Sequence, residues 1–334
     1  DVIQPSIFAI QVALAALLRS FGVRPDVVVG HSMGEVAAAH VAGAIRLEDA
    51  ARIISHRSRV LENVTGQGGM LSVELGFEQA QQLLAAYQGR VSVAAENGLH
   101  TTVLSGEHDA LAEISRELAA SAVFCREVQV AAAAHSPQLD PQLPWLRRML
   151  DAVAARSAHT PICSTVTGSL AEGEHLDADY WVRNMREPVR FSAAIQTLLE
   201  QGFTRFVEIS PHPVVLGPIQ QIAQGTRRQA TTLSTLRRDL RERDQILLGL
   251  ARLHTLGYPV DFCPLFDPSA RFVSLPGYAM QRERYDAMPR ASSLGTRSGA
   301  ESEVSAQYFS ESGFHSQDLV KPAGPPDGSR TLNV

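Results

Sequence analysis

Apolar residues recur along the chain with two periods, and these periods predict its helices and strands. Residues 7–18 carry apolar side chains at helical spacing, and Gly22 is expected to end that helix. The three valines at 27–29 predict a short buried strand. The same reasoning predicts further helices at 47–61, 77–87, 108–120, 143–155, 192–201 and 239–256, and strands at 70–75, 91–96, 101–104, 124–130, 162–166 and 205–209. Because strands alternate with helices, we predict an α/β fold with a mostly parallel sheet.

Residues 68–131 depart from simple alternation. Their predicted elements follow the order β-α-β-β-α-β, which is the order of the ferredoxin-like split unit. We therefore predict a ferredoxin-like small subdomain at 68–131, inserted into a large subdomain made of residues 1–67 and 132–228. The pair Asn97-Gly98 inside the insert also fits a simple hairpin turn.

The valine strand runs into Gly30-His31-Ser32-Met33-Gly34, and a helical pattern follows. A Gly-x-Ser-x-Gly turn between a strand and a helix exposes a nucleophilic serine at the edge of a parallel sheet, as in α/β-hydrolases. Glycine is expected on both sides because a side chain would collide with the crossing backbone. The helix N-terminus directs unpaired N–H groups at the serine, where an oxyanion would form. Ser32 is therefore the candidate nucleophile of an α/β-hydrolase-like subdomain.

Composition narrows the functional classes. The 334 residues are 45% hydrophobic and carry a net charge of -5 with mixed signs, so we expect a sizeable core and no nucleic-acid interface. Cys125, Cys163 and Cys263 are scattered and lack metal-ligand spacing, which predicts no metal site and a reducing, cytoplasmic compartment. The most apolar window, 7–18, is too short to cross a bilayer, so no membrane span is expected.

A serine nucleophile needs a base, and two histidines are candidates. His135 follows four alanines and precedes Ser-Pro, whereas His212 lies between two prolines. Each pattern also fits an ordinary surface loop. Arg57 and Arg59, near the end of a predicted helix, fit solvated side chains that favour a helix C-terminus.

Six short motifs occur in one order along the chain: Gly-His-Ser-Met-Gly-Glu, His-Arg-Ser-Arg, Ala-Glu-Asn-Gly, Ala-His-Ser-Pro, Tyr-Trp-Val-Arg-Asn-Met-Arg-Glu-Pro-Val-Arg-Phe and Glu-Ile-Ser-Pro-His-Pro. Together they resemble the acyltransferase domain of a type I polyketide synthase, in a form similar to mycobacterial synthases, over roughly residues 1–286. The resemblance implies that an extender unit passes from coenzyme A to Ser32, then to the phosphopantetheine thiol of an acyl carrier protein. It implies no cofactor bound by the domain itself. The partners it implies are the carrier protein, the ketosynthase and the other domains of a parent synthase.

The resemblance also implies residue roles around Ser32. It assigns the base to His135 rather than His212, oriented by a backbone carbonyl that we expect from loop 210–212. It assigns Arg57 to the extender carboxylate, through paired hydrogen bonds that lysine cannot copy. It places the backbone N–H of Met33 in the oxyanion hole.

Further positions are assigned to the substrate cleft. His31 and Asn97 are expected to bind substrate. Ala132, Ala133 and Ala134 immediately precede the base, where small residues accompany methylmalonyl in this family and a bulky aromatic accompanies malonyl. We therefore favour methylmalonyl over malonyl, although one methyl group is worth only about 1–3 kcal/mol in a pocket.

The resemblance also makes predictions about both ends of the chain. Residues 229–286 resemble the linker that follows such acyltransferase domains, and the Ser-, Gly- and Pro-rich residues 287–334 are expected to be disordered. The family's first strand, with a Gly-Gln-Gly segment that helps form the oxyanion hole, is expected to be missing from this chain. Residues 66–68 repeat that tripeptide but follow Ser32, so they are not that segment.

Three alternatives stay open. A thioesterase or other α/β-hydrolase would pass the acyl group to water, but that class usually has an acidic third member and no need of Arg57. An inactive truncated synthase fragment would only pack against its neighbours. A stand-alone malonyl transferase of fatty acid synthesis would lack the linker-like segment.

Overall fold

The computed structural model describes residues 2–280 and 330–333. The chain divides into two compact units, Asp1–Pro264 with Gly328–Val334, and Leu265–Asp327. The helices and strands that carry the candidate site all belong to the first unit.

The described residues form ten α-helices and ten strands. The helices are α1 (Ile3–Ser20), α2 (Gly34–Ala42), α3 (Leu47–Asn63), α4 (Phe77–Leu83), α5 (His108–Ala120), α6 (Leu143–Met149), α7 (Ala178–Arg186), α8 (Phe191–Glu200), α9 (Leu216–Gly225) and α10 (Glu242–Thr255). The strands are β1 (Val27–Val29), β2 (Gly69–Val73), β3 (Val91–Gly98), β4 (Thr101–Gly106), β5 (Cys125–Val128), β6 (Ile162–Ser164), β7 (Ser169–Ala171), β8 (Phe203–Glu208), β9 (Thr231–Ser234) and β10 (Arg330–Asn333). Short 3-10 turns lie at Leu84–Tyr87, Pro137–Gln142, Gly173–His175 and Cys263–Leu265.

The larger sheet has six strands in the order β7-β6-β1-β10-β8-β9. Its strands pair in parallel except for edge strand β7, which runs antiparallel to β6. Apolar clusters cover both faces: Val28 packs in one with Trp181, and Val27 and Val29 pack in the other with Phe191. A strand buried on both faces is the usual environment of a continuous β-branched run, so the predicted α/β class is confirmed.

Strand β10 lies between β1 and β8 and pairs in parallel with both. Asn333 is opposite Val28 on one side and Val207 on the other. The prediction of a disordered tail at 287–334 is therefore wrong for residues 330–333. Pairing with two strands at once satisfies backbone N–H and C=O groups whatever the composition of the flanking chain. The rest of the predicted tail, as far as residue 329, and residue 334 lie outside the described residues.

The smaller sheet is antiparallel, with the order β3-β4-β2-β5. Helices α4 and α5 pack on it around a core that includes Leu71, Leu104 and Ile114. This is the predicted ferredoxin-like arrangement, and its strands and helices extend from Gly69 to Val128.

The segment around Val189 joins the two subdomains. The Val189 N–H donates to the carbonyl of Ala94 at 2.9 Å, and the Glu96 N–H donates to the carbonyl of Val189 at 2.8 Å. The Arg190 guanidinium adds an ion pair with the Glu96 carboxylate at 2.7 Å. The small subdomain is thus attached directly beside the residues that precede α8.

The first helix is longer than the apolar window predicted. Ile3–Ser20 is long and apolar enough to cross a membrane by those two properties alone, which is weak evidence because core helices and N-terminal signal sequences also have them. In the fold it packs against α2 and α3, with Phe8, Leu14 and Leu18 buried.

The segment predicted as a linker, 229–286, begins inside the first unit. It contributes edge strand β9 and helix α10 to that unit. Ile246 and Leu250 of α10 share an apolar cluster with Leu14 and Leu18 of α1.

Candidate active site

The strand-to-helix turn holds Ser32 in a left-handed conformation, with φ of 52°, which is uncommon for residues other than glycine. A Cβ at Gly30 would lie 2.1 Å from the backbone nitrogen of Glu35, so only glycine fits there. At Gly34 the nearest atom to an added Cβ is 3.8 Å away, in Gln11. The expectation of a steric need for glycine therefore holds at Gly30 and is wrong at Gly34.

Ser32 and His135 are in direct contact. The Ser32 Oγ lies 2.8 Å from His135 Nε2, and His135 Nδ1 lies 2.9 Å from the carbonyl oxygen of Glu187. A carbonyl only accepts hydrogen bonds, so Nδ1 carries the proton and Nε2 is free to accept one from the serine. The orienting carbonyl therefore belongs to Glu187, and the expectation that loop 210–212 supplies it was wrong.

The backbone of His135 is fixed as well. Its φ is 56°, again left-handed, and its carbonyl accepts a 2.7 Å hydrogen bond from the Ser92 hydroxyl of the small subdomain. Burial first, and the positive charge of Arg57 second, lower the pKa of His135 to about 3. The imidazole is therefore neutral at neutral pH.

Arg57 is buried beside the nucleophile, with 1% of its surface exposed. Its Nη2 donates to Ser32 Oγ at 3.1 Å, and its Nη1 donates to Asn184 Oδ1. Its Nε is buried and has no hydrogen-bond partner among the residues that the structure describes. Burial lowers the pKa of Arg57 to about 10, which leaves the guanidinium charged. The interpretation of Arg57 as a solvated helix-end residue is wrong, whereas Arg59 is exposed.

Glu35 and Asn184 complete the surroundings of Arg57, and the sequence reasoning gave Glu35 no role. The Glu35 carboxylate, 2% exposed, accepts hydrogen bonds from the Thr165 N–H, the Tyr180 hydroxyl and the Asn184 amide. Burial raises the pKa of Glu35 to about 7, against the effect of these donors. The glutamate that closes the first motif and the asparagine of the fifth were the available signals for this network.

His31 and Asn97 lie together at the cleft. His31 Nε2 is 2.7 Å from Asn97 Oδ1, and the His31 ring packs against Phe191 at 5.3 Å between centroids. Burial lowers the pKa of His31, so this imidazole is neutral and donates its Nε2 proton to Asn97. Asn97 belongs to β3, and the hairpin turn follows at residues 99–100.

The three alanines before His135 differ in exposure. Ala132 belongs to the core of the large subdomain, and Ala133 is 1% exposed and lies close to Gly68. Ala134 is partly exposed and adjoins His135. Of the three, only Ala134 is partly exposed.

The other candidate histidine, His212, has no hydrogen bond to Ser32 among the residues that the structure describes. His212 Nδ1 accepts a hydrogen bond from the Arg238 N–H at 3.2 Å. It lines a cavity of about 390 Å³, together with His31, Met33 and Gly34.

Within residues 2–280 no hydrogen bond of Met33 N–H is found, and this group lies at the N-terminal end of α2. Met33 therefore retains a backbone donor beside Ser32.

A nucleophile turn in a parallel sheet, joined to a ferredoxin-like insert and a carbonyl-oriented histidine, defines a serine enzyme of the acyl-transferring class. The sequence model of the acyl transferase domain matches residues 1–260. The chain belongs to this family, as an acyltransferase domain of the polyketide synthase type.

The relatives support that assignment. The chain is 46% identical over 286 residues to the polyketide synthase GfsB of Streptomyces halstedii, covering 85% of this chain and 5% of that protein. It is 39% identical over 288 residues to mycoketide-CoA synthase of Mycobacterium tuberculosis, covering 85% of this chain and 7% of that protein. The acyltransferase domain from module 8 of the salinomycin polyketide synthase matches with a TM-score of 0.76 and 41% identity, covering 78% of this chain and 62% of that one. The chain thus spans a small fraction of the curated relatives it matches.

Proposed function

We propose that this domain moves a malonyl-type extender unit from coenzyme A to Ser32 and then to the phosphopantetheine thiol of an acyl carrier protein. The observation that carries this proposal is the buried Arg57 guanidinium at hydrogen-bonding distance from Ser32 Oγ. A buried cation is costly unless it is paired, and its Nε–H is an unused donor among the described residues. A carboxylate next to the thioester supplies both a counter-charge and an acceptor.

In the first half-reaction, Ser32 Oγ attacks the thioester carbon and passes its proton to Nε2 of neutral His135. The Glu187 carbonyl holds the imidazole in the required tautomer and stabilises it when it becomes charged. The Met33 N–H, at the start of α2, is placed to donate to the oxyanion. When the carbon–sulfur bond breaks, His135 returns the proton to the departing sulfur, which leaves acyl-Ser32 and free coenzyme A.

In the second half-reaction, the carrier thiol gives its proton to His135 and its sulfur attacks the Ser32 ester. The carbon–oxygen bond to Ser32 then breaks, and the serine regains its proton from His135. The same two side chains therefore act in both half-reactions. Because coenzyme A leaves acyl-Ser32 before the carrier thiol reacts, the reaction is a ping-pong transfer. Arg57 keeps the extender carboxylate in place through both steps.

For the extender we propose methylmalonyl in preference to malonyl. The partly exposed Ala134 adjoins His135, and its side chain is a single methyl group. Because Ala132 and Ala133 are buried, the choice depends mainly on Ala134. Asn97 and His31 are proposed to border the bound acyl chain.

The rival hydrolase function is less well supported. A thioesterase of this fold class orients its histidine with a carboxylate, whereas His135 Nδ1 donates to a backbone carbonyl. A buried arginine beside the serine has no role in hydrolysis of a simple acyl ester.

Intact-protein mass tests the proposal after the domain is mixed with methylmalonyl-, malonyl- or acetyl-coenzyme A. We expect a methylmalonyl adduct that is absent in Ser32→Ala and strongly reduced in Arg57→Ala. Arg59→Ala is the matched control, since this arginine lies two residues along the same helix and is exposed. Equal acylation by all three donors would refute the role of Arg57, and a malonyl-only adduct would refute the extender choice.

The partners and the location are also proposals. Mixing the acylated domain with a phosphopantetheinylated carrier protein should move the adduct to the carrier. Release of free acid in place of transfer would favour the hydrolase. The parent synthase's ketosynthase is the proposed consumer of the loaded carrier, and the cytoplasm remains the predicted compartment.

A further inference from the structure

The carboxylate of Glu35 lies behind the nucleophile turn, in the first turn of α2, and is 2% exposed. The proposed transfer reaction does not use this group. It faces three donors: the Thr165 N–H at 2.5 Å, the Tyr180 hydroxyl at 3.1 Å, and the Asn184 Nδ2. A buried carboxylate is costly, so a group held in this way at the nucleophile calls for an explanation.

A series of hydrogen bonds connects Glu35 to Ser32 through Asn184 and Arg57, and each bond in it can run in only one direction. Arg57 can only donate, so the oxygen of the Asn184 amide must face it. The Asn184 Nδ2 must then face Glu35, which has to accept. Arg57 Nη2 in turn donates to Ser32 Oγ at 3.1 Å. Each member of this series therefore fixes the orientation of the next.

We propose that Glu35 is a positioning residue for recognition of the extender carboxylate, acting through Asn184 on Arg57. This inference rests on the proposed function, in which Arg57 binds that carboxylate. Asn184 holds Nη1, which keeps Nη2 directed at Ser32 Oγ, where the bound acyl group would lie. The negative charge of Glu35 also offsets part of the cost of keeping Arg57 charged in a buried site.

A purely structural role is the alternative. Glu35 also connects the turn to neighbouring strands, because its donor Thr165 bonds the Gly30 carbonyl through its hydroxyl at 2.8 Å. Loss of such a structural role would slow the acylation of Ser32 by every donor alike. Loss of the positioning role would change the preference among donors.

The experiment measures kcat/KM for acylation of Ser32 in the full chain by malonyl-coenzyme A and by propionyl-coenzyme A, at about pH 8, where Glu35 with a pKa of about 7 is ionised. The readout is the ratio of the two values. Glu35→Gln keeps the size of the side chain but turns an N–H donor toward groups that are themselves donors, among them the Asn184 amide. We expect this ratio to fall at least about tenfold, equivalent to about 1.4 kcal/mol.

Three further variants make the result decisive. Asn184→Leu breaks the hydrogen-bonded series between Glu35 and Arg57 and should lower the ratio by a similar factor. It tests the proposal even if Glu35→Gln does not fold. The double variant should lose no more than Asn184→Leu alone, since both changes cut the same connection. Tyr180→Phe removes one donor to Glu35 without touching the series, so it should keep the ratio.

Arg57→Ala separates the two levels of inference. A ratio unchanged in Arg57→Ala would refute the proposed function itself. A ratio that falls in Arg57→Ala but is retained in both Glu35→Gln and Asn184→Leu would refute the positioning role alone. Equal loss of both donors in those two variants would assign Glu35 to structure and overturn the inference.

Discussion

Burial first, and the positive charge of Arg57 second, should set the pH below which Ser32 loses its reactivity. His135 must be neutral to accept the serine proton, so reactivity is lost as the pH falls through the pKa of His135. Burial and the Arg57 charge lower that pKa from 6.5 to about 3. Arg57→Ala removes the charge and admits water, and both changes raise the pKa. The variant should therefore lose reactivity at a higher pH than the wild-type protein.

The size of the shift follows from the geometry. Arg57 Nη2 and His135 Nε2 lie 3.1 and 2.8 Å from Ser32 Oγ. The two nitrogen atoms are thus at most about 6 Å apart, where unit charges interact by about 3 kcal/mol at an effective dielectric constant of about 20. That energy corresponds to about 2 pKa units. We expect Arg57→Ala to lose reactivity at about pH 5, still below the ordinary histidine pKa because part of the burial remains.

A neutral reagent makes the assay independent of carboxylate binding. Phenylmethanesulfonyl fluoride modifies a serine activated by histidine, and intact mass follows its addition over time. At about pH 5 the rate constant of Arg57→Ala should be halved by protonation of His135, whereas the wild type should show no such loss until a lower pH. Arg59→Ala is the control, and circular dichroism at each pH verifies folding. Loss of reactivity at the same pH in the wild type and Arg57→Ala would refute the electrostatic coupling.

Other predictions concern stability. Gly30→Ala should abolish folding, because its Cβ would lie 2.1 Å from the Glu35 nitrogen, whereas Gly34→Ala should fold normally. Soluble yield and circular dichroism distinguish the two variants, and a folded Gly30→Ala would contradict the turn geometry. Leu332→Pro removes a backbone donor from central strand β10, whereas Leu332→Ala keeps that donor. The free energy of unfolding in urea should therefore be about 1–3 kcal/mol lower for Leu332→Pro than for Leu332→Ala. Equal urea midpoints for these two variants would argue against pairing of β10. Asn97→Leu leaves the His31 Nε2–H without its acceptor and should lower the melting temperature, and an unchanged value would argue against that hydrogen bond.

The sequence predicted those parts of the fold that depend on local pattern. The turn around Ser32 and the order of elements in the small subdomain follow from side-chain period and glycine position, and the predicted β-α-β-β-α-β order was confirmed. The orienting carbonyl of His135 could not be predicted in this way. Every residue has a carbonyl, so only the path of the chain between α7 and α8 brings that of Glu187 to Nδ1.

Strand β10 was not predicted, for a different reason. Its flanking residues are polar and rich in glycine and proline, which predicts a chain with little to bury. A strand of four residues between two others gains its hydrogen bonds from its neighbours rather than from its own composition. Such a strand is visible only once the positions of β1 and β8 are known.

One motif, residues 180–191, contacts several parts of the site. Its helix supplies Asn184 to Arg57, and the turn after that helix supplies the Glu187 carbonyl to His135. Val189 and Arg190 then attach the small subdomain at Glu96. The proposed carboxylate-binding residue, the base and the joint between the subdomains are therefore positioned by one continuous stretch of chain. A displacement of that stretch would alter substrate preference and serine reactivity together, whereas a change at Glu35 reaches Arg57 through Asn184 and through the loss of its own charge.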